Sequence, residues 1–250
     1  MSSDSRSLVL ESCRHCGAGA PAEVHFCPQC DRILSLARHG DYFLFFGLPR
    51  KLNIDLADLE RRFRDLSRQF HPDYFYNASP GERLASLERS SYLNDAYRVL
   101  RQPIDRVEYL LKLEGLAPVG RQQPASQDPE LLERVFAMNE ELDQVRAARA
   151  AGAAAEEVGR RLEAARRPIE ARAARQDERL AALMAQWDAV MDGDEAGLKP
   201  CSTGADGGGA ALQGCSEKKR QTLEALRGLL QERSYVANLL QLVARESGGI

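Results

Sequence analysis

The chain has 250 residues, of which 44% are hydrophobic and 28% are charged, a composition typical of a folded protein with room for one or two domains. The formal net charge of −3 argues against a protein whose main partner is a nucleic acid, because such domains usually carry a basic surface. The most apolar stretch, residues 42 to 48, is far too short to cross a bilayer, so we expect no membrane partner.

The first 40 residues contain four acids and four arginines but no apolar core. A secretory signal needs an apolar core and an organellar transit peptide avoids acids, so neither kind of targeting segment is predicted. We therefore expect the chain to work in a reducing compartment, where cysteines bind metals more often than they form disulfides.

Two CxxC motifs, separated by ten residues, predict a small metal-binding head over residues 8 to 38. The four candidate ligands are Cys13, Cys16, Cys27 and Cys30. Four thiolates in two tight turns suit one structural zinc ion, which can supply on the order of 10 kcal/mol to a segment too small to build its own core. A redox dithiol is the competing interpretation, but a thioredoxin-like CxxC needs a sheet scaffold that this head is too short to provide. No role is predicted for Cys201 and Cys215.

An amphipathic helix is predicted to begin after Asp55. With about 100° of rotation per residue, the apolar side chains of this helix fall within an arc of about 80° and form one face. These residues are Leu56, Leu59, Phe63, Leu66 and Phe70. The opposite face carries Arg61, Arg64 and Arg68, for which a solvated helix surface is the simplest explanation. The helix is expected to end at residues 71 to 73, His-Pro-Asp, because the residue before a proline is disfavoured in the α region.

A second helix is predicted from residue 80 to about residue 100. Ser79, Pro80 and Glu82 form the signature of a capped helix start. The buried face of this helix is predicted to contain Leu84, Leu87, Tyr92, Ala96 and Leu100. A short helix over residues 104 to 114 should stop at Gly115. The His-Pro-Asp tripeptide is therefore expected in a loop that joins two long antiparallel helices.

The hydrophobic periodicity of the C-terminal half predicts a bundle of three helices over residues 128 to 247. A proline-rich linker over residues 117 to 129 precedes it. The first of these helices carries a core stripe of Leu131, Val135, Met138, Leu142 and Val145. Leu132 and Phe136 lie roughly 90 to 100° away from this stripe, so the helix has a second apolar edge. The next helix is expected to kink or break at Pro168. A glycine-rich insertion over about 194 to 216 is expected to be disordered.

Several segments of the chain resemble a known family. They are DYF at 41 to 43 with FGL at 46 to 48, LNDAY at 93 to 97, YLLKL at 109 to 113 with Gly115, and MNEEL at 138 to 142. Together with His-Pro-Asp between two helices, they resemble the J domain, over residues 41 to 117, and in particular the J-type co-chaperones of iron–sulphur cluster assembly, the HscB (Jac-type) family. The head, with FCPQC at 26 to 30, is similar to the zinc-binding extension of the longer members. The resemblance covers residues 41 to about 150, and the last thirty residues more loosely.

This resemblance implies an all-α fold, with a J domain followed by a three-helix bundle and a small zinc ribbon-like head. It implies a co-chaperone, not an enzyme, that binds an iron–sulphur cluster scaffold protein, delivers it to a DnaK-type ATP-dependent chaperone and stimulates the chaperone's ATP hydrolysis. The implied chaperone-binding residues are His71, Pro72, Asp73, Arg61, Arg64 and Arg68. The implied scaffold-binding residues are Leu132, Phe136, Glu140 and Tyr235.

The chain also departs from the family pattern, with Tyr74 where a basic residue is common, Glu133 where an apolar residue is usual and Ala137 where an acid is usual. Packing against the J domain is the alternative role for Leu132 and Phe136.

Other functions stay open on the sequence alone. A general J-domain adaptor could carry its zinc-ribbon head for another client. A nucleic-acid adaptor would need a basic head, whereas the acids and arginines of this head balance. A thiol oxidoreductase would need a cysteine of lowered pKa in an open cleft. A bacterial-type cytoplasm fits the absence of a presequence, and a mitochondrial matrix fits the longer members of the family.

Overall fold

The computed structural model describes residues 10–21, 24–36, 41–116, 129–197 and 208–247. Within these ranges the elements are β1 (Leu10–Ser12), β2 (Gly19–Pro21), α1 (Tyr42–Phe45), α2 (Leu56–Phe70), α3 (Pro80–Arg101), α4 (Pro103–Leu113), α5 (Pro129–Ala150), α6 (Ala155–Gly197) and α7 (Gly208–Ser247). A 3₁₀ turn, Pro72–Phe75, lies between α2 and α3. None of the helices described is apolar over a stretch long enough to cross a membrane. The predicted all-α class with a small N-terminal head is confirmed.

The chain divides into two compact units, Met1–Leu110 and Leu111–Ile250. The first unit begins with the head, in which β1 and β2 pair antiparallel and Phe26 forms a single bridge to Ile33. The small core of the head consists of Cys13, Ala20, Cys27 and Leu34. Cysteines make up half of that core, which is the composition expected of a segment that folds around a metal ion.

Helix α2 has the predicted start and end. The carboxylate of Asp55 accepts hydrogen bonds from the backbone N–H groups of Ala57 (2.9 Å) and Asp58 (3.4 Å), so it caps two donors that have no partner within the helix. The helix ends at His71, whose ψ of 127° lies outside the helical range, as the following proline requires.

Helix α3 starts with the predicted capping box. The hydroxyl oxygen of Ser79 accepts from the N–H of Glu82, and the carboxylate of Glu82 accepts from the N–H of Ser79. The predicted buried face is wrong in its first half, because Leu84 and Leu87 are exposed. The buried residues are Ala85, Ser86, Arg89, Leu93, Ala96 and Leu100. Polar side chains occupy this half of the inner face because backbone carbonyl oxygens of the head and of α2 lie opposite it and accept hydrogen bonds from them.

Helix α4 is joined to the rest of the first unit by polar contacts as well as by its apolar side chains. The buried guanidinium group of Arg106 donates to the carbonyl oxygens of Leu100 (2.6 Å) and Leu52. The ring of Tyr109 stacks on that of Tyr42 at 4.2 Å, and its hydroxyl oxygen accepts from the N–H of Tyr42 at 3.0 Å. These contacts satisfy a buried charge and hold α1 against α4.

The second unit is a bundle in which α5, α6 and α7 each contact the other two. One hydrophobic cluster of its core consists of Met138, Leu142, Val145, Val158, Leu162, Ala165, Ile169, Val236 and Val243. Further along α6 and α7, Leu180, Met184, Trp187, Leu223, Leu226 and Leu229 are also buried. The predicted core stripe is therefore confirmed at the three α5 positions in the first cluster, whereas the side chains of Leu131 and Val135 lie outside the described part of the structure.

The bundle differs from the sequence expectations at two places. Helix α6 continues through Pro168 without a break, because buried residues on both sides of the proline, Ala165 and Ile169, hold the helix in the bundle core. The predicted insertion at 194 to 216 is helical at both ends, since α6 runs to Gly197 and α7 starts at Gly208. The helix-forming run AALQ at 210 to 213 favours this helical start despite the nearby glycines. Residues 198–207, and the linker residues 117–128, lie outside the described residues.

Candidate functional site

The four cysteines of the head lie in two similar turns. In the first, the N–H of Gly17 donates to the carbonyl oxygen of Cys13 (2.8 Å), and the φ of Gly17 is 76°. In the second, the N–H of Asp31 donates to the carbonyl oxygen of Cys27 (2.9 Å), and the φ of Asp31 is 54°. A left-handed residue four positions after the first cysteine thus closes each turn, and glycine and aspartate are among the residues that tolerate this conformation.

The two turns bring the four thiol groups together, as the spacing predicted. The sulphur atoms of Cys13, Cys16, Cys27 and Cys30 all lie within 4.8 Å of one another. The Cys13–Cys30 distance is 3.8 Å and the Cys16–Cys27 distance is 3.7 Å. A tetrahedral zinc ion with Zn–S bonds of about 2.3 Å requires sulphur atoms roughly 3.8 Å apart. The four thiols therefore have the spacing needed to hold one metal ion.

The chemistry of these thiols also suits metal binding. Backbone N–H groups of Cys16 and His15 lower the pKa of the Cys13 thiol to about 6, because they stabilise the thiolate. At Cys30 a backbone hydrogen bond to Arg32 is outweighed by burial and by the three neighbouring thiols, which raise its pKa to about 12, so Cys13 is the first of the pair to ionise. The thiolate is the form that binds metals. Cys13 and Cys27 are buried, Cys30 is partly buried and Cys16 is exposed, so the site lies at the edge of the core of the head.

The head is held against α3 by Arg89, which is only 2% exposed. Its guanidinium group donates to the carbonyl oxygens of Leu34 (2.8 Å) and Ser35 (3.1 Å) and to Nδ1 of His25 (2.7 Å). Burial and the charge of Arg89 lower the pKa of His25 to about 4, so that the ring is neutral and can accept this bond. Sequence reasoning missed Arg89, because an arginine on a helix is expected to face solvent.

His71, Pro72 and Asp73 lie at the turn between α2 and α3, and all three are exposed. The N–H of Asp73 donates to Nδ1 of His71 (3.3 Å), and a carboxylate oxygen of Asp73 lies 3.4 Å from the same nitrogen. Exposed Tyr74 and Tyr76 follow. The tripeptide is thus arranged by its own local contacts and is open to a partner.

The residue before the tripeptide is firmly anchored. The ring of Phe70 is fully buried, and its carbonyl oxygen accepts hydrogen bonds from the hydroxyl groups of Ser86 (2.7 Å) and Ser90 (3.0 Å) on α3. Sequence reasoning missed both serines. Their spacing of four residues on one face of α3 is the signal that was available, but the partner carbonyl cannot be found without the fold.

The predicted basic face of α2 is present. Arg61, Arg64 and Arg68 are all exposed, and each pairs with an acid one turn away on the same helix, namely Asp58, Glu60 at 3.6 Å and Asp65 at 2.9 Å. Exposed pairs of this kind contribute little to stability, so these guanidinium groups can exchange their partners at small cost.

The predicted scaffold-binding residues lie on α5 and α7. Phe136 is 72% exposed, and Glu140, one turn further along α5, is exposed as well. Tyr235 of α7 is partly buried, and the side chain of Leu132 lies outside the described part of the structure. An apolar cleft of about 150 Å³ between the three helices includes Ala137, the neighbour of Phe136. The second apolar edge of α5 is therefore exposed at Phe136, separate from the buried core stripe.

The fold of the chain is similar to that of proteins with solved structures. The crystal structure of human co-chaperone protein HscB matches with a TM-score of 0.57 and 23% sequence identity, over 96% of this chain and 100% of that one. The chain has the fold of human HscB. Chaperone HscB from Vibrio cholerae is also similar, with 27% identity and a TM-score of 0.49 over 82% of this chain and 96% of that chain. No protein-family model matches the chain. The HscB resemblance inferred from sequence is confirmed at the level of the fold.

Proposed function

We propose that the chain is a J-type co-chaperone of iron–sulphur cluster assembly. It binds the scaffold protein on which clusters are built, delivers that complex to a DnaK-type chaperone and stimulates the chaperone's ATP hydrolysis, without catalysing a reaction of its own. The observation that carries the proposal is the exposed His71-Pro72-Asp73 turn between α2 and α3 in a chain with the HscB fold.

The contact with the chaperone rests on a preorganised loop. Burial of Phe70 and its two hydrogen bonds to α3 fix the chain just before His71, so binding does not have to order this segment. The exposed arginines of α2, at 61, 64 and 68, form weak pairs with acids of the same helix, and they can exchange these partners for acidic groups of the chaperone at small cost. Attraction between exposed charges is screened by salt, so we expect this association to weaken as ionic strength rises.

The contact with the scaffold protein uses the exposed edge of α5. Phe136 is the anchor, because large aromatic side chains are enriched at interfaces, where those that become buried on binding can contribute much of the affinity. Glu140, Leu132 and Tyr235 complete the proposed site.

Zinc is the metal that we assign to the head. Four thiolates in a closed tetrahedral set are typical of a structural zinc site, in which no coordination position is left for a substrate. When bound, the ion cross-links the two cysteine turns and supplies folding free energy to the head. A site of this kind requires reduced thiols, which is consistent with a reducing compartment such as a bacterial-type cytoplasm.

Two measurements with purified proteins test the proposal. Calorimetric titration against an iron–sulphur scaffold protein should give a saturable complex, and single-turnover ATP hydrolysis by a DnaK-type chaperone should accelerate when the chain is added. Absence of both effects would contradict the proposed function. Stimulation without scaffold binding would favour a general J-domain adaptor that serves another client.

A further inference from the structure

We propose that the metal-bound head positions the loop that carries His71-Pro72-Asp73, with Arg89, His25 and Arg32 as positioning residues, so that loss of the metal weakens the action of the loop on the chaperone. This inference rests on the proposed function, because it assigns a control to the same loop. The geometry that supports it lies within the first unit, where the second cysteine turn makes contacts near both ends of the loop.

The first contact lies at the start of the loop. The ring of His25, two residues before Cys27, packs edge-on against the ring of Phe70 with centroids 5.0 Å apart, and Phe26 lies 6.1 Å from the same ring. Phe70 is bonded directly to His71 in the chain. One wall of the Phe70 pocket is therefore built from the residues that lead into a metal ligand.

Arg89 holds this wall in place. Besides its bonds to His25, Leu34 and Ser35, its guanidinium carbon lies 5.7 Å from the centroid of the Phe70 ring. A single buried side chain thus contacts both the head and the last residue of α2. Since its acceptors on the head are backbone carbonyl oxygens and a ring nitrogen, Arg89 keeps these partners only while the head is folded.

The second contact lies at the far end of the loop. Arg32, two residues after Cys30, forms a 3.0 Å ion pair with Glu82. The same carboxylate oxygen accepts from the N–H of Ser79 at 3.1 Å, and so belongs to the capping box that starts α3. The head therefore contacts both the residue before the tripeptide and the helix cap that follows the loop.

A metal ion is expected to matter for these contacts because, among the described residues of the head, the hydrophobic cluster consists of four small or medium side chains. A segment of this size does not stay folded without the free energy of metal binding. When the metal is lost, Phe70 loses the ring contacts of His25 and Phe26, and Glu82 loses Arg32. The loop then becomes more mobile, while α5, α6 and α7 are not affected.

The test uses the full chain in four forms: metal-loaded, metal-free after chelation and removal of the chelator, Arg89→Gln, and Arg32→Gln. Hydrogen exchange is followed at the amides of Tyr74 and Glu82, at the two ends of the loop. We expect exchange at both amides to accelerate at least about tenfold in the metal-free chain, with α4 and the second unit unchanged. Adding zinc back should restore protection in the wild-type chain but not in Arg89→Gln.

Arg32→Gln alters a partly exposed side chain, and is expected to fold and to accelerate exchange at Glu82 more than at Tyr74. Stimulation of chaperone ATP hydrolysis, measured in parallel, should fall when loop protection falls and return when zinc is restored.

Unchanged loop exchange in the metal-free chain would overturn the inference, and so would uniform acceleration over α1 to α4, which would indicate general destabilisation. If the metal-free chain stimulates as well as the loaded one, the coupling is wrong while the co-chaperone role stands. If the loaded wild-type chain fails to stimulate, the proposed function is wrong, and exchange alone decides whether the head positions the loop.

Discussion

The hydroxyl group of Ser86 donates a 2.7 Å hydrogen bond to the carbonyl oxygen of Phe70. Phe70 is the last residue of α2, so its carbonyl oxygen has no acceptor role within that helix, and both residues are buried. The serine thus satisfies a buried helix-end carbonyl and sets the distance between α3 and the start of the exposed loop.

Replacing Ser86 with alanine should lower the free energy of unfolding by about 0.5 to 1.5 kcal/mol, because one hydrogen bond is lost while Ser90 still donates to the buried carbonyl oxygen. Ser91→Ala, at an exposed position on the same helix, is the matched control and should change stability by less than about 0.5 kcal/mol. Denaturant melts of both variants measure this difference. Equal stability of the two variants would mean that Ser90 fully replaces Ser86.

One equivalent of zinc should copurify with the chain. Cys27→Ser removes one of the four ligands and should lower the zinc content of the protein, measured by elemental analysis, well below one equivalent. Cys201→Ser is the control and should keep the full equivalent, because Cys201 lies outside both CxxC motifs. A wild-type protein that contains no metal and has redox-active thiols would support the oxidoreductase alternative instead.

Phe136 and Leu142 lie on the same helix, but replacing each with alanine should affect different properties, scaffold affinity for Phe136 and stability for Leu142. Leu142 is buried in the bundle core, so Leu142→Ala should cost about 2 to 5 kcal/mol of stability. Phe136 is exposed, so Phe136→Ala should cost less than about 1 kcal/mol of stability. Its loss should, however, cost at least about 2 kcal/mol of scaffold affinity.

Thermal melts and calorimetric titration of the two variants separate these effects. A Phe136→Ala protein that melts much earlier yet binds the scaffold normally would show that this ring has a packing role and that the client binds elsewhere.

The alkaline stability of the chain should depend on Tyr109. Burial raises the pKa of Tyr109 to about 12, whereas an unfolded tyrosine loses its proton near pH 10. The unfolded chain therefore releases this proton first, so the contribution of Tyr109 to stability is complete below about pH 10 and is lost as the pH rises towards about 12.

Denaturant titrations over this pH range should show a shallower loss of stability for Tyr109→Phe than for the wild-type chain. Tyr74→Phe, at an exposed position, should follow the wild-type curve. A Tyr109→Phe protein with the wild-type pH dependence would contradict this assignment.

Features that depend on neighbouring residues in the chain could be predicted from the sequence. The cap of α2 by Asp55 and the capping box of Ser79 and Glu82 arise within three residues, and the CxxC spacing identified the four cysteines that lie close enough to hold a metal ion. The angle between residues on one helix was sufficient to separate Phe136 from the core stripe. Each of these features follows from local geometry alone.

Features that depend on distant segments could not be predicted in this way. Hydrophobic periodicity assigns arginine and serine to the solvent face, yet Ser86 and Arg89 are buried on α3. Their partners are backbone carbonyl oxygens of residues 70, 34 and 35, which come close only after the chain has folded. The leucines at 84 and 87 are exposed for the same reason, since the inner face of α3 is already occupied.

The most direct test of the proposed function is single-turnover ATP hydrolysis by a DnaK-type chaperone with the wild-type chain and with His71→Gln. We expect the wild-type chain to accelerate hydrolysis and His71→Gln not to accelerate it. The helical signal and thermal midpoint of the variant should stay within error of the wild type, because an exposed loop side chain contributes little to stability. Asn77→Ala, at an exposed position beyond the tripeptide, should stimulate normally. Full stimulation by His71→Gln would contradict the assignment of this loop as the chaperone-binding element.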